Sequence, residues 1–191
     1  MCEPHICRCG KQVDSLGHHG LSCQRSEGRL SRHSHLNNII KRSLHAAGVP
    51  ARLEPVGLDK RDGRRPDGLT VFPFSNGKSL SWDATCSDTF SQTSIHQSAI
   101  SPGSAADKAE ARKRSFYSGL LSRYRFEPVS VETTGVYGKD SAKFVAEIGR
   151  RIRGQTGDKR EGAWLKQRIS IAIIRGNSEA VLGTNRAAFG T

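Results

Sequence analysis

The sequence predicts an α/β (α+β) fold preceded by a small segment rich in cysteine and histidine. Its length of 191 residues suits one packed domain plus a small appendage, because two large domains would each need more chain. Two β-rich segments joined by a turn lie between segments whose apolar residues have helical spacing. Four of the five cysteines fall in the first 23 residues. These observations separate a small N-terminal unit from a domain of helices and strands.

The N-terminal cysteines are predicted to bind zinc. No signal-peptide pattern opens the sequence, so we expect a reducing intracellular setting, where clustered thiols are more often metal ligands than disulfides. Three thiolates and one imidazole spaced C-x-C-x8-H-x4-C make a suitable tetrahedral set, namely Cys7, Cys9, His18 and Cys23. Nearby substitutes are Cys2, His5 and His19. The segment between these residues is poor in apolar side chains, so we expect Zn²⁺ to be structural and to stabilise the fold.

A helix is predicted next, because Leu36, Ile40, Leu44 and Ala47 recur at spacings of four and three and Gly48-Val49-Pro50 ends the run. Basic side chains, Arg32 among them, are left for its other faces. Residues 69–74 and 79–86 are predicted to form a hairpin around a turn at 75–78. The later predicted elements are a helix at 104–124, a strand at 128–134, and helices at 140–152 and 161–175 joined by a flexible link at 154–159.

The charge balance predicts an anionic partner. Lys and Arg number 30 against 18 Asp and Glu, which gives a net charge of +12. Nucleic acid is the commonest such partner, although a solvated basic surface or a membrane surface would also fit the charge. No apolar stretch approaches the length of a membrane span. We therefore expect nucleic-acid binding that weakens with salt, and no membrane partner.

Two acids near the hairpin are candidate ligands for a divalent cation. Asp67 stands in RPDG before the first strand, and Asp83 lies inside the second strand between Trp82 and Ala84. An acid within a strand is costly unless it is used. If the strands pair, both carboxylates can reach one point and hold a cation by oxygen ligands. On their own, however, two such acids are more often turn caps or surface residues.

The order of motifs from residue 7 to residue 117 resembles the restriction-like endonuclease domain at the C-terminal end of site-specific non-LTR retrotransposons. That family has a Cys/His zinc knuckle, an Arg-His pair opening a helix, an acid, (K/R)PD, an acid in a strand, and a helical Lys before a Tyr. The matching residues after the knuckle are Arg32-His33, Glu54, Arg65-Pro66-Asp67, Asp83 and Lys113.

This resemblance implies a nuclease core of the PD-(D/E)xK superfamily, a mixed sheet with helices on both faces. It implies a Mg²⁺-dependent endonuclease that nicks double-stranded DNA to prime reverse transcription. Asp67 and Asp83 would ligate Mg²⁺ with help from the Ala84 carbonyl, Glu54 would be an outer ligand, and Lys113 would orient water or neutralise charge. The family often has another Lys where Phe116 stands, and Thr85 occupies the usual superfamily Lys position, so the resemblance is incomplete.

The resemblance also implies domains, partners and a location. The zinc knuckle would span 1–28, the nuclease core 29–180 and a tail 181–191. Predicted nucleic-acid contacts are Arg32, His33, Lys60, Arg61, Arg64 and Arg65. Element RNA and a reverse transcriptase domain absent from this chain would be further partners, in the nucleus. Two alternatives stay open: an inactive zinc- and nucleic-acid-binding remnant of such an element, and a zinc-only transcription factor.

Overall fold

The structure is a computed structural model that describes residues 2–58 and 65–185, apart from the side chain of Glu27. The N-terminal part contains β1 (His5–Ile6), β2 (Gln12–Val13), α1 (His18–Ser22) and α2 (Glu27–Ala46). The remaining elements are β3 (Ala51–Leu53), β4 (Gly68–Ser75), β5 (Lys78–Ser87), α3 (Ile95–Ile100), α4 (Ser104–Phe116), β6 (Arg125–Glu132), α5 (Lys139–Thr156) and α6 (Glu161–Leu182). Within these ranges, no helix combines the length and the apolar character that crossing a membrane requires.

The main sheet is mixed and has four strands in the order β3-β4-β5-β6. β4 pairs antiparallel with both β3 and β5, whereas β5 and β6 are parallel. Asn76 and Gly77, both with positive φ, turn the chain between β4 and β5, as the hairpin pattern predicts. A return to a parallel strand needs a long crossover, and the segment from β5 to β6 supplies it with α3 and α4.

Helices cover both faces of this sheet. α2 and α5 pack on one face, with α6 behind them, and their apolar stripe meets the large side chains of β5 and β6 in one core. α4 contacts β5 and β6, and a smaller core of Leu58, Leu69, Tyr117, Leu120 and Phe126 lies beside it. The predicted α/β class, a mixed sheet flanked by helices with a Cys/His cluster at the N-terminus, is confirmed at this level.

The N-terminal unit, residues 2–26, is called the Cys/His module below, and it is docked on the end of α6. The Ser26 hydroxyl donates to the Ala180 carbonyl at 2.9 Å, and His5 Nε2 lies 2.9 Å from Thr184 Oγ1. At the start of α2, Gly28 lets the two helix backbones touch, since a Cβ there would lie 2.6 Å from the Ala180 Cα. The module is therefore packed against the core rather than attached by a loose linker.

Four predicted elements have clearly different ends in the structure, one of them α6, which continues to Leu182 where the prediction ended at 175. The helix predicted over 104–124 stops at Phe116, because Tyr117 leaves the helical path and packs its ring into the smaller core. A short 3-10 turn follows, and β6 starts at Arg125, three residues before its predicted start. α5 extends into the predicted flexible link at 154–159 and ends at Thr156. The next residue, Gly157, has a φ of 75°, which does not continue the helix. The polar segment 87–103 contains α3, which sequence spacing did not indicate.

We predict that Gly28→Ala destabilises the protein by roughly 1–3 kcal/mol, since the added methyl group would overlap the α6 backbone. Gly154→Ala is the matched control, because Gly154 lies in α5 with nothing within 4 Å of its added Cβ. That control should leave stability unchanged or raise it by about 0.5–1 kcal/mol. Urea unfolding of both variants measures the difference, and equal stability for the two variants would contradict the docked arrangement.

Candidate metal centre and acid pair

Four side chains of the Cys/His module converge on one point. They are Cys7, Cys9, His19 and Cys23, and their ligand atoms all lie within 4.8 Å of one another. The Cys7 and Cys23 sulfurs are 3.6 Å apart, and the Cys9 sulfur is 3.1 Å from His19 Nε2. Three thiolates and an imidazole at such distances can hold a metal ion such as zinc. The predicted cysteine-rich metal site is confirmed at this level.

The histidine of this cluster is His19, not the predicted His18. α1 begins at His18, so consecutive side chains point about 100° apart and only one can face the cysteines. The His18 ring instead stacks on Phe90, with ring centroids 4.3 Å apart and planes within 5°. The spacing of the cluster is therefore C-x-C-x9-H-x3-C. His18 has a different use, since it joins the Cys/His module to the loop after β5.

The cysteines of the cluster differ in acidity. Burial raises the pKa of the Cys7 thiol to about 11, whereas the backbone N–H of Lys11 lowers the pKa of Cys9. Thiolates are the metal-binding form, so cation binding must release protons from this cluster. Acid therefore opposes metal binding here.

Asp67, which directly precedes β4, and Asp83, which lies in β5, are called the acid pair below. In the antiparallel register Gly68 pairs with Trp82, so Asp67 lies opposite Asp83 one step further along. Trp82 is fully buried in the main core, and side chains alternate along a strand, so Asp83 points to the opposite face toward α4. This register bears out the hairpin prediction and sets the two acids opposite each other.

His33 holds Asp67. Its Nε2 lies 2.9 Å from Asp67 Oδ2, and the Ala84 backbone N–H donates to the same oxygen at 2.7 Å. Burial acts to raise the pKa of Asp67, but the hydrogen bond and charge of His33, together with hydrogen bonds from the Ala84 backbone and Asn37, outweigh it, and the pKa lies below its ordinary value. The bond between Asp67 and His33 also raises the pKa of His33. His33 was predicted to contact nucleic acid, and this contact stays a prediction, since His33 lies beside Asp67 and also lines the groove described below.

Asp83 is held from α4. Lys113 Nζ lies 2.7 Å from Oδ1, and the Tyr117 hydroxyl donates to Oδ2 at 2.7 Å. Despite these partners, burial and then the charge of Asp67 raise the pKa of Asp83 above its ordinary value. A buried acid beside a second acid is costly for a fold to keep, so the pair is a candidate functional site.

Glu54 reaches the acid pair through its backbone. Its N–H donates to the Asp67 carbonyl at 2.8 Å, and its φ of 49° is unusual for a non-glycine residue. Its carboxylate pairs with Arg65 at 2.8 Å. Its predicted role as an outer metal ligand stays a prediction, as does Mg²⁺ itself. Of the other predicted nucleic-acid contacts, Lys60, Arg61 and Arg64 lie outside the described residues.

The assignment of Arg32 to the nucleic-acid surface is wrong. Its side chain is 1% exposed and lies across Gly176 of α6, whose missing Cβ leaves it room. Its guanidinium donates to the Leu21 carbonyl at 2.9 Å and to Asn177 Oδ1. Arg32 therefore ties the Cys/His module to α2 and α6. Sequence spacing gave no sign of this, because Gly176 and Asn177 of α6 lie far along the chain from α2.

An open groove of about 870 Å³ is lined both by the partners of the acid pair, His33 and Lys113, and by residues of the Cys/His module. Its walls include His33 and Lys113 at one end and Leu21 and Ser22 at the other. Hydroxyl groups of the loop after β5 line its side. A cleft of this size can take an extended ligand.

Tyr117 and Asn37 are site residues that sequence reasoning did not assign. Tyr117, the C-cap residue of α4, follows Lys113 by four positions, and both side chains contact Asp83. Asn37 follows His33 by four positions in α2, accepts a hydrogen bond from the Trp82 indole at 3.0 Å, and helps to lower the pKa of Asp67. The spacing of four from an assigned residue is a signal that would have found both.

We predict that His19→Ala loses bound zinc whereas His18→Ala keeps it, because only His19 lies with the cysteines. Metal analysis of the purified variants gives the zinc content of each. His18→Ala is the matched control, since it removes the adjacent imidazole and with it only the stack on Phe90. Loss of zinc from His18→Ala with retention in His19→Ala would show that the cluster is wrongly assigned.

We predict that Asp83→Asn is at least as stable at neutral pH as the wild type, because the surroundings of Asp83 disfavour its charge. The folded-state pKa is raised, so charged Asp83 costs stability above that pKa. The advantage of Asn should fade in acid below the ordinary aspartate range, where the carboxyl is protonated in both the folded and the unfolded state. Thermal unfolding across pH measures this, and a clear fall in Tm at pH 7 would contradict it.

The chain matches no protein-family model, and no curated protein is a significant match to it. The function must therefore be inferred from the geometry of the two sites.

Proposed function

We propose that this protein is a metal-dependent DNA endonuclease that hydrolyses one strand of duplex DNA. The observation that carries the proposal is the acid pair on adjacent strands, with Lys113 at one acid and His33 at the other. Two carboxylates, a lysine and an open groove are the parts that cation-assisted phosphodiester cleavage requires.

The donor set of the acid pair fits a divalent cation such as Mg²⁺. Mg²⁺ is usually held by one or two carboxylates together with water and substrate phosphate oxygens. The side chains of Asp67 and Asp83 are 18% and 6% exposed, so the pair is shielded, while their partners His33 and Lys113 line the groove. Burial and then repulsion by Asp67 raise the pKa of Asp83, and a cation held between the two carboxylates would relieve the repulsion. When bound, the cation supplies the acidity that turns water into a nucleophile at neutral pH.

The residues of this chain would orient the reactants. Tyr117 and His33 fix the two carboxylates through their hydrogen bonds. The Lys113 ammonium is one-third exposed and borders the groove, where it can neutralise charge that grows on the phosphate. Water attack forms one P–O bond and breaks the bond to the 3′ oxygen, which leaves as a hydroxyl once protonated. That hydroxyl would prime reverse transcription by a polymerase domain of the same element.

The fold and the overall charge agree with this proposal. A four-stranded mixed sheet with helices on both faces is the architecture expected of a restriction-endonuclease-like core, with both acids on the central hairpin. The net charge of +12 favours binding to phosphate backbones. The retroelement origin is proposed from the motif order, in which His19 now replaces His18 as the knuckle histidine.

A second candidate is a nucleic-acid-binding remnant without activity. One observation favours it: both Asp83 oxygens are already held, by Lys113 and by Tyr117. In a remnant this network would be permanent and the acid pair would bind no cation. In a nuclease, the Lys113 ammonium leaves the Asp83 carboxylate and pairs with the phosphate when substrate and cation bind. The two candidates therefore differ in whether Mg²⁺ supports cutting.

We predict that purified protein nicks supercoiled plasmid in Mg²⁺ and that Asp67→Ala and Asp83→Ala abolish nicking, because each removes a cation ligand. Lys113→Ala should slow nicking by roughly 100-fold or more, as loss of a transition-state charge partner does. Lys143→Ala is the matched control, since Lys143 is an exposed lysine of α5 outside the groove. Gel electrophoresis of the open-circular product gives the rates.

Two outcomes would overturn the nuclease proposal. One is nicking that survives in both Asp variants or in EDTA, which would point to a contaminant. The other is a folded, zinc-loaded protein that binds DNA but never cuts it in Mg²⁺ or Mn²⁺. The second result would favour the remnant. Zinc content and Tm measured on the same samples ensure that every variant compared is folded.

A further inference from the structure

We propose that the groove between the Cys/His module and α4 binds the DNA backbone next to the cleaved phosphate, through Arg29 and Arg112. The identity of the ligand as DNA rests on the proposed function. The path of the ligand rests on the groove itself, which joins Lys113 at the acid pair to Ser22 of the Cys/His module. Neither arginine belongs to the motifs that indicate a nuclease.

Arg29 and Arg112 line this groove from different elements. Arg29 lies in the first turn of α2 and Arg112 directly precedes Lys113 in α4, and both line the groove. Both side chains are exposed. Within residues 2–58 and 65–185, neither guanidinium has a hydrogen-bond or ion-pair partner. They are therefore available to phosphate oxygens.

Other arginines of the core are used differently. Arg114, next to Arg112 in α4, pairs with Asp140 at 2.7 Å. Arg125 pairs with both Glu127 and Glu147 at 2.8 Å. The chain thus neutralises these arginines and leaves the two groove arginines with their charge uncompensated. A guanidinium with a full set of unused donors suits phosphate well.

One side of the groove, called the hydroxyl wall below, carries hydroxyl groups. Ser91, Thr93 and Ser94 belong to the loop after β5 and line the groove. Hydroxyl side chains are common partners of phosphate oxygens in protein–DNA contacts. Two arginines and three hydroxyls along one cleft match a sugar–phosphate backbone better than a single small anion.

This loop is held in place from two directions. On one side Phe90 stacks on His18 of the Cys/His module. On the other side the Thr89 hydroxyl donates to Glu132 Oε2 at 3.0 Å, and Glu132 is 1% exposed. The other oxygen of Glu132 accepts the Ala105 backbone N–H at 2.9 Å. The hydroxyl wall is therefore preorganised, which reduces the entropy cost of binding.

The arrangement gives the Cys/His module a definite place in substrate binding. Through α1 it supplies one end of the groove, and through His18 it holds the hydroxyl wall. A metal bound at the cysteine cluster would then stabilise a surface that touches DNA beside the acid pair. Phosphate contacts of this kind fix the position of the DNA without reading its sequence.

The test measures binding of a fluorescent duplex of about 30 base pairs by anisotropy, without cleavage, in Ca²⁺ over a series of salt concentrations. Arg29→Gln, Arg112→Gln and the double variant are compared with Arg153→Gln. Arg153 is an exposed arginine of α5 outside the groove, so it is a control for the loss of one charge. Zinc content and Tm are measured for each protein.

We expect each groove variant to weaken binding several-fold and to lower the slope of log K against log salt by about one. The double variant should weaken binding by more than either single variant, and Arg153→Gln should bind within twofold of the wild type. An equal loss in Arg153→Gln, or no loss in the double variant, would overturn the proposal. Tighter binding to an RNA duplex of the same sequence would overturn the choice of DNA.

Plasmid nicking by the same proteins separates this proposal from the nuclease proposal. If the wild type binds DNA but never nicks it, while the groove variants lose binding, the groove assignment stands and the nuclease fails. If the wild type nicks and the groove variants bind and nick normally, the groove assignment fails alone. With both proposals correct, the groove variants nick slowly at limiting protein concentration and recover when protein is raised.

Discussion

The indole ring of Trp82 fills a space that Gly68 leaves open on the neighbouring strand, and the position of both acids depends on this contact. A Cβ at Gly68 would fall inside the Trp82 ring, so no other residue fits opposite it. The contact fixes Gly68 against Trp82 in the register, and the Trp82 indole is anchored by Asn37. A slip of one residue would turn Asp83 into the core and Trp82 out of it. Packing of a large apolar side chain thus determines where the charged groups meet.

A second constraint brings α2 and α6 together. Gly28 and Gly176 lie where the helices touch, and the side chain of Arg32 passes over Gly176 to the Cys/His module. His33, the next residue of α2, faces Asp67. One helix therefore connects the cysteine cluster to the acid pair. α2 therefore contributes both to stability and to the proposed chemistry. Its buried Arg32 holds the Cys/His module in place, and its part-exposed His33 holds Asp67.

The local elements could be predicted because their signals are local. The apolar spacing of α2 and the turn between β4 and β5 are visible in short windows of sequence, and so is the cost of placing Asp83 inside a strand. Once the hairpin is accepted, the meeting of Asp67 and Asp83 follows from its register. The metal cluster was predicted from cysteine crowding, which needs no knowledge of the rest of the fold.

The remaining features depend on contacts between distant segments. His18 and His19 are adjacent and have the same side chain, and only the folded structure shows that His19 faces the cysteines while His18 stacks on Phe90. Arg32 looks like any surface arginine until α6 is placed beside it. The end of α4 depends on Tyr117 reaching the smaller core and Asp83. In each case the deciding partner lies far along the chain.

The measurement that tests the central claim most directly is an anomalous difference map from crystals of zinc-loaded protein soaked in Mn²⁺. We predict a manganese peak bonded to carboxylate oxygens of both Asp67 and Asp83, with Lys113 moved off Asp83, and a separate zinc peak at Cys7, Cys9, His19 and Cys23. A map with the zinc peak but no manganese at the acids, and with Lys113 still bonded to Asp83, would contradict a cation-dependent site.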